Sequence, residues 1–465
     1  MNGPNDPRVA IVEVAEARYD DDGARSLSNA LQRLAELLDW DTGTASVFGE
    51  VIPSGARVLV KPNWVSHANQ GPWGLDPLIT NSALVRETVQ AVLQTKAAEV
   101  VVGDAPLQLC DFKRLVQDSG VRQWAESLEG RDPRFKGVQD FRRTTCEVQD
   151  GRRVASENRV AREHFVLYDL GTHSLLEPIT DANGSFRVTQ YNPTHMIRTH
   201  APGRHQYLVA RAVIEADVVI NLPKLKTHKK AGVTCALKNL IGINGNKEYL
   251  PHHRVGGAES GGDCYPGGSR IKRAQEYALD RMNLTQSAVS QGLWRDAARL
   301  LDRIARLGGD RLGIEGSWAG NDTIWRTCLD LNRLLLYGRA DGSLADQPQR
   351  EVIHVVDAVI AGHGDGPLAP EPVPLRLLLA GRSAAAIDWV GAMLLGYDPH
   401  RIPIAREAFG LFRWPVVLFP QNQIQLVGDL GSGSIGEVLG DYSPPRSMRY
   451  PSGWLSAVAD APTSA

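Results

Sequence analysis

Between Pro223 and Asn239 the chain gathers Lys224, Lys226, Lys229, Lys230 and Lys238 around His228. The preceding residues, 217–221, form an apolar, β-branched run of the kind buried on both faces of a sheet. Like charges at the end of a buried strand are unfavourable unless an anion or carboxylates neutralise them. Ammonium groups placed there would hold a phosphate or a carboxylate as point charges. The alternative is a solvated surface turn. Nearby lysines lower a histidine's pKa, so His228 would be neutral near pH 7, the form a general base needs; a structural histidine fits the same position. His228, Lys226 and Lys238 are therefore the candidate catalytic residues, and Lys224 and Asn239 candidate contacts to a small anionic ligand. Gly242, Gly245 and Asn246 follow at once and can offer backbone N–H groups to the same anion.

Other polar groups close apolar runs in the same way. Residues 57–60 lead into Lys61-Pro62-Asn63, residues 99–102 into Gly103-Asp104, and residues 352–361 into a turn that carries Asp365. Lys61 and Asn63 join the candidate ligand contacts. Asp104 and Asp365 are candidate counter-charges to the lysines or oxygen ligands for a divalent metal. A second basic cluster, Arg198, His200, Arg204 and His205, is a candidate to complete the anion site from a different part of the chain. Cys235, with an apolar residue on each side, reads as a buried, inert thiol. His252 and His253 have no standard zinc-ligand spacing around them.

Helical spacing separates the strand-like runs. Residues 84–93 repeat apolar side chains with Asn81 or Ser82 as N-cap, and residues 383–395 run from Ser383 to Gly396 at the C′ position. This alternation predicts an α/β fold: a mostly parallel mixed sheet flanked by helices, in which ligands sit beyond the carboxyl ends of the strands. If so, at least four of Lys61, Asp104, Lys224, His228 and Asp365 should line one cleft.

Two stretches break the rhythm. The expected organisation is an N-terminal part of the core over residues 1–134 and a polar antiparallel excursion over 135–205, with a hairpin turn at Asp150-Gly151. Residues 206–284 hold a core strand with the lysine-rich and glycine-rich loops, 285–350 a helical insertion, 351–440 the rest of the core, and 441–465 a loosely packed tail. Within the insertion, Leu293, Ala297, Leu300, Leu301 and Ile304 form one stripe and Ile324, Cys328, Leu331 and Leu335 another, both read as core. The insertion or the loop at residues 251–268 should cover the cleft.

The chain's 465 residues, 43% hydrophobic and 22% charged, suit a globular protein with more than one lobe. A formal net charge of −2 gives no global field toward nucleic acid or an anionic membrane. No secretory signal or membrane-length apolar run is visible, and the five cysteines are scattered, so a cytoplasmic setting is expected, with no iron–sulfur cluster. Residues 431–436 match a dinucleotide-binding pattern by letter, but no βαβ unit fits the residues that follow, so they read as a glycine-rich turn. There is no phosphate-binding loop of the Walker type, no HExxH and no GxSxG.

VLVKPNWV at 58–65, VVVGDAP at 100–106, DVVINLPKLKTHKKAGVTCALKNLIGING at 217–245, GHGDGP at 362–367 and AAAIDWVGAMLLGYDP at 384–399 resemble the domain of unknown function 362 family. The resemblance places Lys61, Asn63, Asp104, Lys224, Lys226, His228, Lys238, Asn239, Asp365, Gly366 and Asp388 on family motif positions. Some relatives carry ferredoxin-like modules; this chain has no CxxCxxC run. The expectation is an enzyme acting on a phosphorylated or carboxylated small molecule, or a non-catalytic protein that binds or assembles around the same ligand, with an iron–sulfur redox protein disfavoured.

Overall fold

The structure is a computed structural model that describes residues 5–19, 21–41, 46–149, 152–157, 160–188, 191–285, 287–310 and 312–459. One large sheet takes its strands from nearly the whole chain: β1 (Arg8–Glu13), β2 (Arg57–Pro62), β3 (Glu99–Asp104), β4 (Phe135–Asp140), β5 (Val218–Leu222), β6 (Lys224–His228), β7 (Gly232–Thr234), β8 (Glu351–Asp365), β9 (Ala369–Gly381), β10 (Gln425–Gly428) and β11 (Gly433–Ser434). Their order across the sheet is β11-β10-β1-β9-β8-β5-β2-β3-β4. Strands β8, β5, β2, β3 and β4 are mutually parallel. Strand β9 runs antiparallel to both of its neighbours, β1 and β8.

The lysine segment owes its shape to this arrangement. Past Pro223, β6 lies parallel against the C-terminal half of β8, with Lys224 opposite Asp357 and Lys226 opposite Gly362. Strand β7 returns antiparallel to β6. The segment is thus a buried strand pair within the sheet, and its lysines are held among packed elements.

The apolar runs are buried on both faces, as continuous β-branched sequences require. On one face, α1 (Asp21–Leu37) and α2 (Ser82–Leu93) pack over Val58, Val60, Val100, Val102 and Ile220. Asn81 caps α2 by accepting from the Ala83 N–H. On the other face lie α5 (Ile324–Tyr337) and α6 (Ala384–Leu394), which follow the hairpin of α3 (Arg270–Leu284) and α4 (Ala288–Leu307). Ser383 caps α6 through the Ala386 N–H, and Gly396 beyond its end takes φ +81°.

Residues 135–140 are not an excursion: they form β4, parallel to β3. Their polar composition reflects an edge strand with one face partly in water. The antiparallel excursion begins after them. Thr144–Gln149 pairs with Arg152–Glu157, while the turn between, Asp150-Gly151, lies outside the described residues. Phe165–Asp169 pairs antiparallel with Arg204–Ala210.

Helical structure begins at Arg270, ahead of residue 285. The stripe on α5 is buried core. The stripe on α4 is not: Leu293, Leu300 and Ile304 face solvent, because α4 packs on α3 through its neighbouring stripe, which buries Ala298 and Ala305. Among the described residues no helix is long and apolar enough to cross a membrane.

Candidate functional site

Strand β2 delivers Lys61, and β3 ends in Asp104. Lys61 Nζ donates to Asp104 Oδ1 at 2.8 Å, to the Pro62 carbonyl at 3.0 Å and to Asn239 Oδ1 at 3.1 Å. Asp104 also accepts from the backbone N–H of Trp64 at 2.7 Å and of Ala105 at 2.9 Å. Asn239 Oδ1 accepts from Asn63 Nδ2 at 2.8 Å, while its own Nδ2 donates to Asn221 Oδ1 at 2.7 Å. Burial pushes Lys61 down and Asp104 up, and each opposes the other's shift. The network ties β2, β3 and β5 to the helical turn after β7. Gly242 is required beside it, since a Cβ there would collide with the Asp104 carboxylate.

Above this network is a cavity of about 590 Å³. Lys226, Lys229, Lys230, Lys238 and Lys247 line one side together with His228 and His252; Trp64, Val65, Leu107, Ile241 and Leu368 supply apolar wall. Glu315 and Ser317, from the segment after α4, and His252, from the loop after the lysine segment, contribute to its cover.

Most of these lysines are tied down. Lys226 Nζ donates to the Leu78 carbonyl. Lys229 lies 3.5 Å from Asp365, and Lys230 lies 3.7 Å from Glu315. Lys247 Nζ donates to the Ala105 carbonyl at 2.8 Å. Lys238 is different: it is 9% exposed, and no described residue offers it a hydrogen bond or an ion pair. Burial is the largest cause of its lowered pKa, with Lys230 and Lys61 adding to it. Burial, then Lys224 and Lys238, push Lys226 well down, and burial, with Lys238, Lys61 and Arg142 adding to it against Asp104, brings Lys247 to about 7.

His228 Nδ1 accepts from the backbone N–H of Lys230 at 3.0 Å and of Ala231 at 3.2 Å. That assigns the ring proton to Nε2, the nitrogen left for the cavity. Burial, then Lys238, Lys226 and Lys230, keep the ring neutral far below its usual range. His252 is held neutral by burial and by Lys230 and Lys238.

Of the five residues, at least four of which were expected in one cleft, only three, Asp104, His228 and Asp365, line the cavity. Lys61 sits just behind Asp104, wholly buried. Lys224 faces away from the cavity: its Nζ lies 2.6 Å from Asp357 and 3.1 Å from the Tyr19 hydroxyl. It is therefore not placed to touch a ligand there. Asn63 and Asn239 line the cavity as well.

Arg198, His200, Arg204 and His205 do not line it. Arg198 is exposed, and Arg204 stands at the exposed start of its strand with Nη2 on the Ile197 carbonyl at 3.3 Å. His200 is buried against His205 and the Tyr249 carbonyl, and burial brings its pKa to about 3. As for a divalent metal, both oxygens of Asp104 are committed to Lys61 and backbone N–H groups. No group of three or more His, Cys, Asp or Glu among the described residues is placed to hold an ion.

Lys247 and His252 are the wall residues that sequence reasoning passed over as ligands of the anion. Lys247 stands next to Asn246, so extending the lysine count by a few residues would have found it. Beneath the wall, Asp388 accepts from the Leu237 N–H at 3.1 Å and so holds the turn that carries Lys238 and Asn239. Burial raises Asp388 to about 7, and burial beside it pushes the Cys235 thiol well up, which leaves that thiol unreactive.

No curated protein matches the chain. A crystal structure of a protein from Thermotoga maritima is 11% identical over 80% of this chain and 58% of that one, with a TM-score of 0.34. The chain thus spans 58% of that protein's length, and so loose a likeness carries no inference about fold or chemistry. The family described as a domain of unknown function, DUF362, matches residues 58–170 and 172–393, more than half of the chain and every residue of the lysine wall, and the chain belongs to that family.

Proposed function

We propose that the cavity binds a small molecule carrying at least two negative charges, phosphate or carboxylate, and that an enzyme's chemistry is done there by Lys238, which moves a proton, and His228, which donates a hydrogen bond. The observation that carries the reading is Lys238: a buried ammonium group at the cavity wall without a partner among the described residues. Lys229 and Lys230 have carboxylates within 4 Å, whereas among the described residues Lys226, Lys238 and Lys247 have none that close. Burial lowers the pKa of all three, and an entering anion favours their protonated form. The ligand's remaining body would lie on Trp64, Leu107 and Leu368, an apolar surface fit for a carbon skeleton.

In this reading Lys226, Lys238 and Lys247 orient the anion, and the network of Lys61, Asp104, Asn63 and Asn239 keeps the wall in place. His228, with Nδ1 fixed by two backbone donors, presents its Nε2–H as a hydrogen-bond donor to charge on the ligand. The proposal extends to a cytoplasmic setting, with a free small anion rather than nucleic acid or a membrane as the partner.

Titration calorimetry with inorganic phosphate, pyrophosphate and citrate, against chloride at equal ionic strength, tests the reading. At least one probe should bind, Lys238→Gln should weaken it by about tenfold or more, and Lys113→Gln, an exposed lysine elsewhere, should not. Absence of binding by all three probes, or full binding by Lys238→Gln, would overturn it.

A further inference from the structure

We propose that α4 is a self-association surface, pairing antiparallel with α4 of a second copy of this chain. The helix carries two adjacent apolar stripes. One faces α3 and buries Ala298 and Ala305. The other, Leu293, Ala297, Leu300, Ile304 and Leu307, is left largely in solvent, with Leu293 67%, Leu300 57%, Ile304 42% and Leu307 89% exposed and Ala297 half-buried.

An isolated exposed leucine needs no explanation. Here the steps along the stripe are four, three, four and three residues, the spacing of a coiled-coil seam. Tyr277, packed edge-on against Trp294 with ring centroids 5.8 Å apart, widens the apolar face from α3. A contiguous apolar strip along a helix marks an interaction site.

The sequence of α4 favours its own copy as occupant. With two copies antiparallel and centred between Ala298 and Arg299, Leu293 meets Ile304 and Ala297 meets Leu300, each pair occurring twice. Large side chains then oppose small ones at the centre, which lets the helices approach closely. Along the solvent edge of the seam, Asp296 of each copy comes beside Arg303 of the other. Asp296 is free enough to take that partner, since its side chain is 66% exposed and its nearest cations, Arg295 and Arg299, are each 3.6 Å away. Parallel pairing would instead set Ala297 against Ala297 and leave these charges apart. Self-pairing of one patch is the isologous arrangement of a two-fold dimer.

Sedimentation velocity of the full chain over about 1–100 µM, spanning ordinary association strengths, tests the proposal. The protein should be a dimer, Leu300→Glu should be monomeric with an unchanged far-ultraviolet circular dichroism spectrum, and Leu411→Glu, exposed elsewhere, should remain dimeric. Asp296→Arg should weaken the dimer several-fold, and adding Arg303→Asp should restore it. A monomer at all concentrations, a dimer indifferent to Leu300→Glu, or a monomer that instead binds phosphatidylserine vesicles through Leu300 would each overturn it.

Discussion

Lys224 Nζ stands 2.6 Å from Asp357 Oδ2 with both side chains fully buried, and the Tyr19 hydroxyl donates to Asp357 Oδ1 at 2.6 Å. Asp357 also accepts from the Asn81 N–H at 2.9 Å, so one carboxylate links β6, α1's approach and the N-cap of α2. The lysine at the start of the lysine segment is a structural member of the core.

A consequence separates Lys224 from its neighbours. Lys224→Ala leaves the buried Asp357 without its cation, and should lower stability to urea by about 3–5 kcal/mol without altering binding at the cavity. Replacing both partners while keeping an acceptor for the Tyr19 hydroxyl and the Asn81 N–H, Lys224→Met with Asp357→Asn, should recover part of the loss. A stable Lys224→Ala protein that has lost citrate binding would return this lysine to the ligand site.

How far the sequence reaches can be judged at these same residues. The parallel core was legible because β-branched runs such as those of β2, β3 and β5 admit burial on both faces and little else. The gathering of Asp104, His228 and Asp365 followed from their positions at strand ends. The direction of Lys224 did not, because its partner lies on β8 and its hydrogen-bonded neighbour Tyr19 before α1. No local pattern reports contacts between such distant segments. Likewise, α4 carries two apolar stripes side by side, and periodicity alone cannot say which one a neighbouring helix will cover.

Proton uptake should accompany anion binding. Lys247 titrates near 7, against an ordinary value of 10.5, chiefly because it is buried. At about pH 8 it is therefore mostly neutral, and a bound anion must raise its pKa and draw a proton from solution. Calorimetry with fully ionised citrate in buffers of different ionisation enthalpy should register net uptake, reduced in Lys247→Met. The unliganded protein carries the corresponding stability signature. Between about 7 and 10.5 the unfolded chain binds more protons than the folded one, so the Lys247 contribution to stability rises with pH across that window. Binding without proton exchange would mean that the ligand does not reach Lys247 or its neighbours.

Asp388 gives the opposite sign. Its folded pKa of about 7 exceeds the ordinary 3.8, because it is wholly buried and its Oδ2 has no hydrogen-bond partner. Between those values the folded chain holds the extra proton, so stability falls as pH rises through the window and the full penalty is present above about 7. Asp388→Asn keeps an acceptor for the Leu237 N–H and removes the charge. It should match the parent near pH 4 and exceed it by roughly 3–4 kcal/mol at pH 8, measured by urea unfolding at both pH values. Asp388→Leu also removes the charge but loses the acceptor that holds the turn bearing Lys238. It should therefore weaken citrate binding where Asp388→Asn does not. Equal stability of Asp388→Asn and the parent at pH 8 would mean that this carboxylate finds a cation or water the packing around it does not provide.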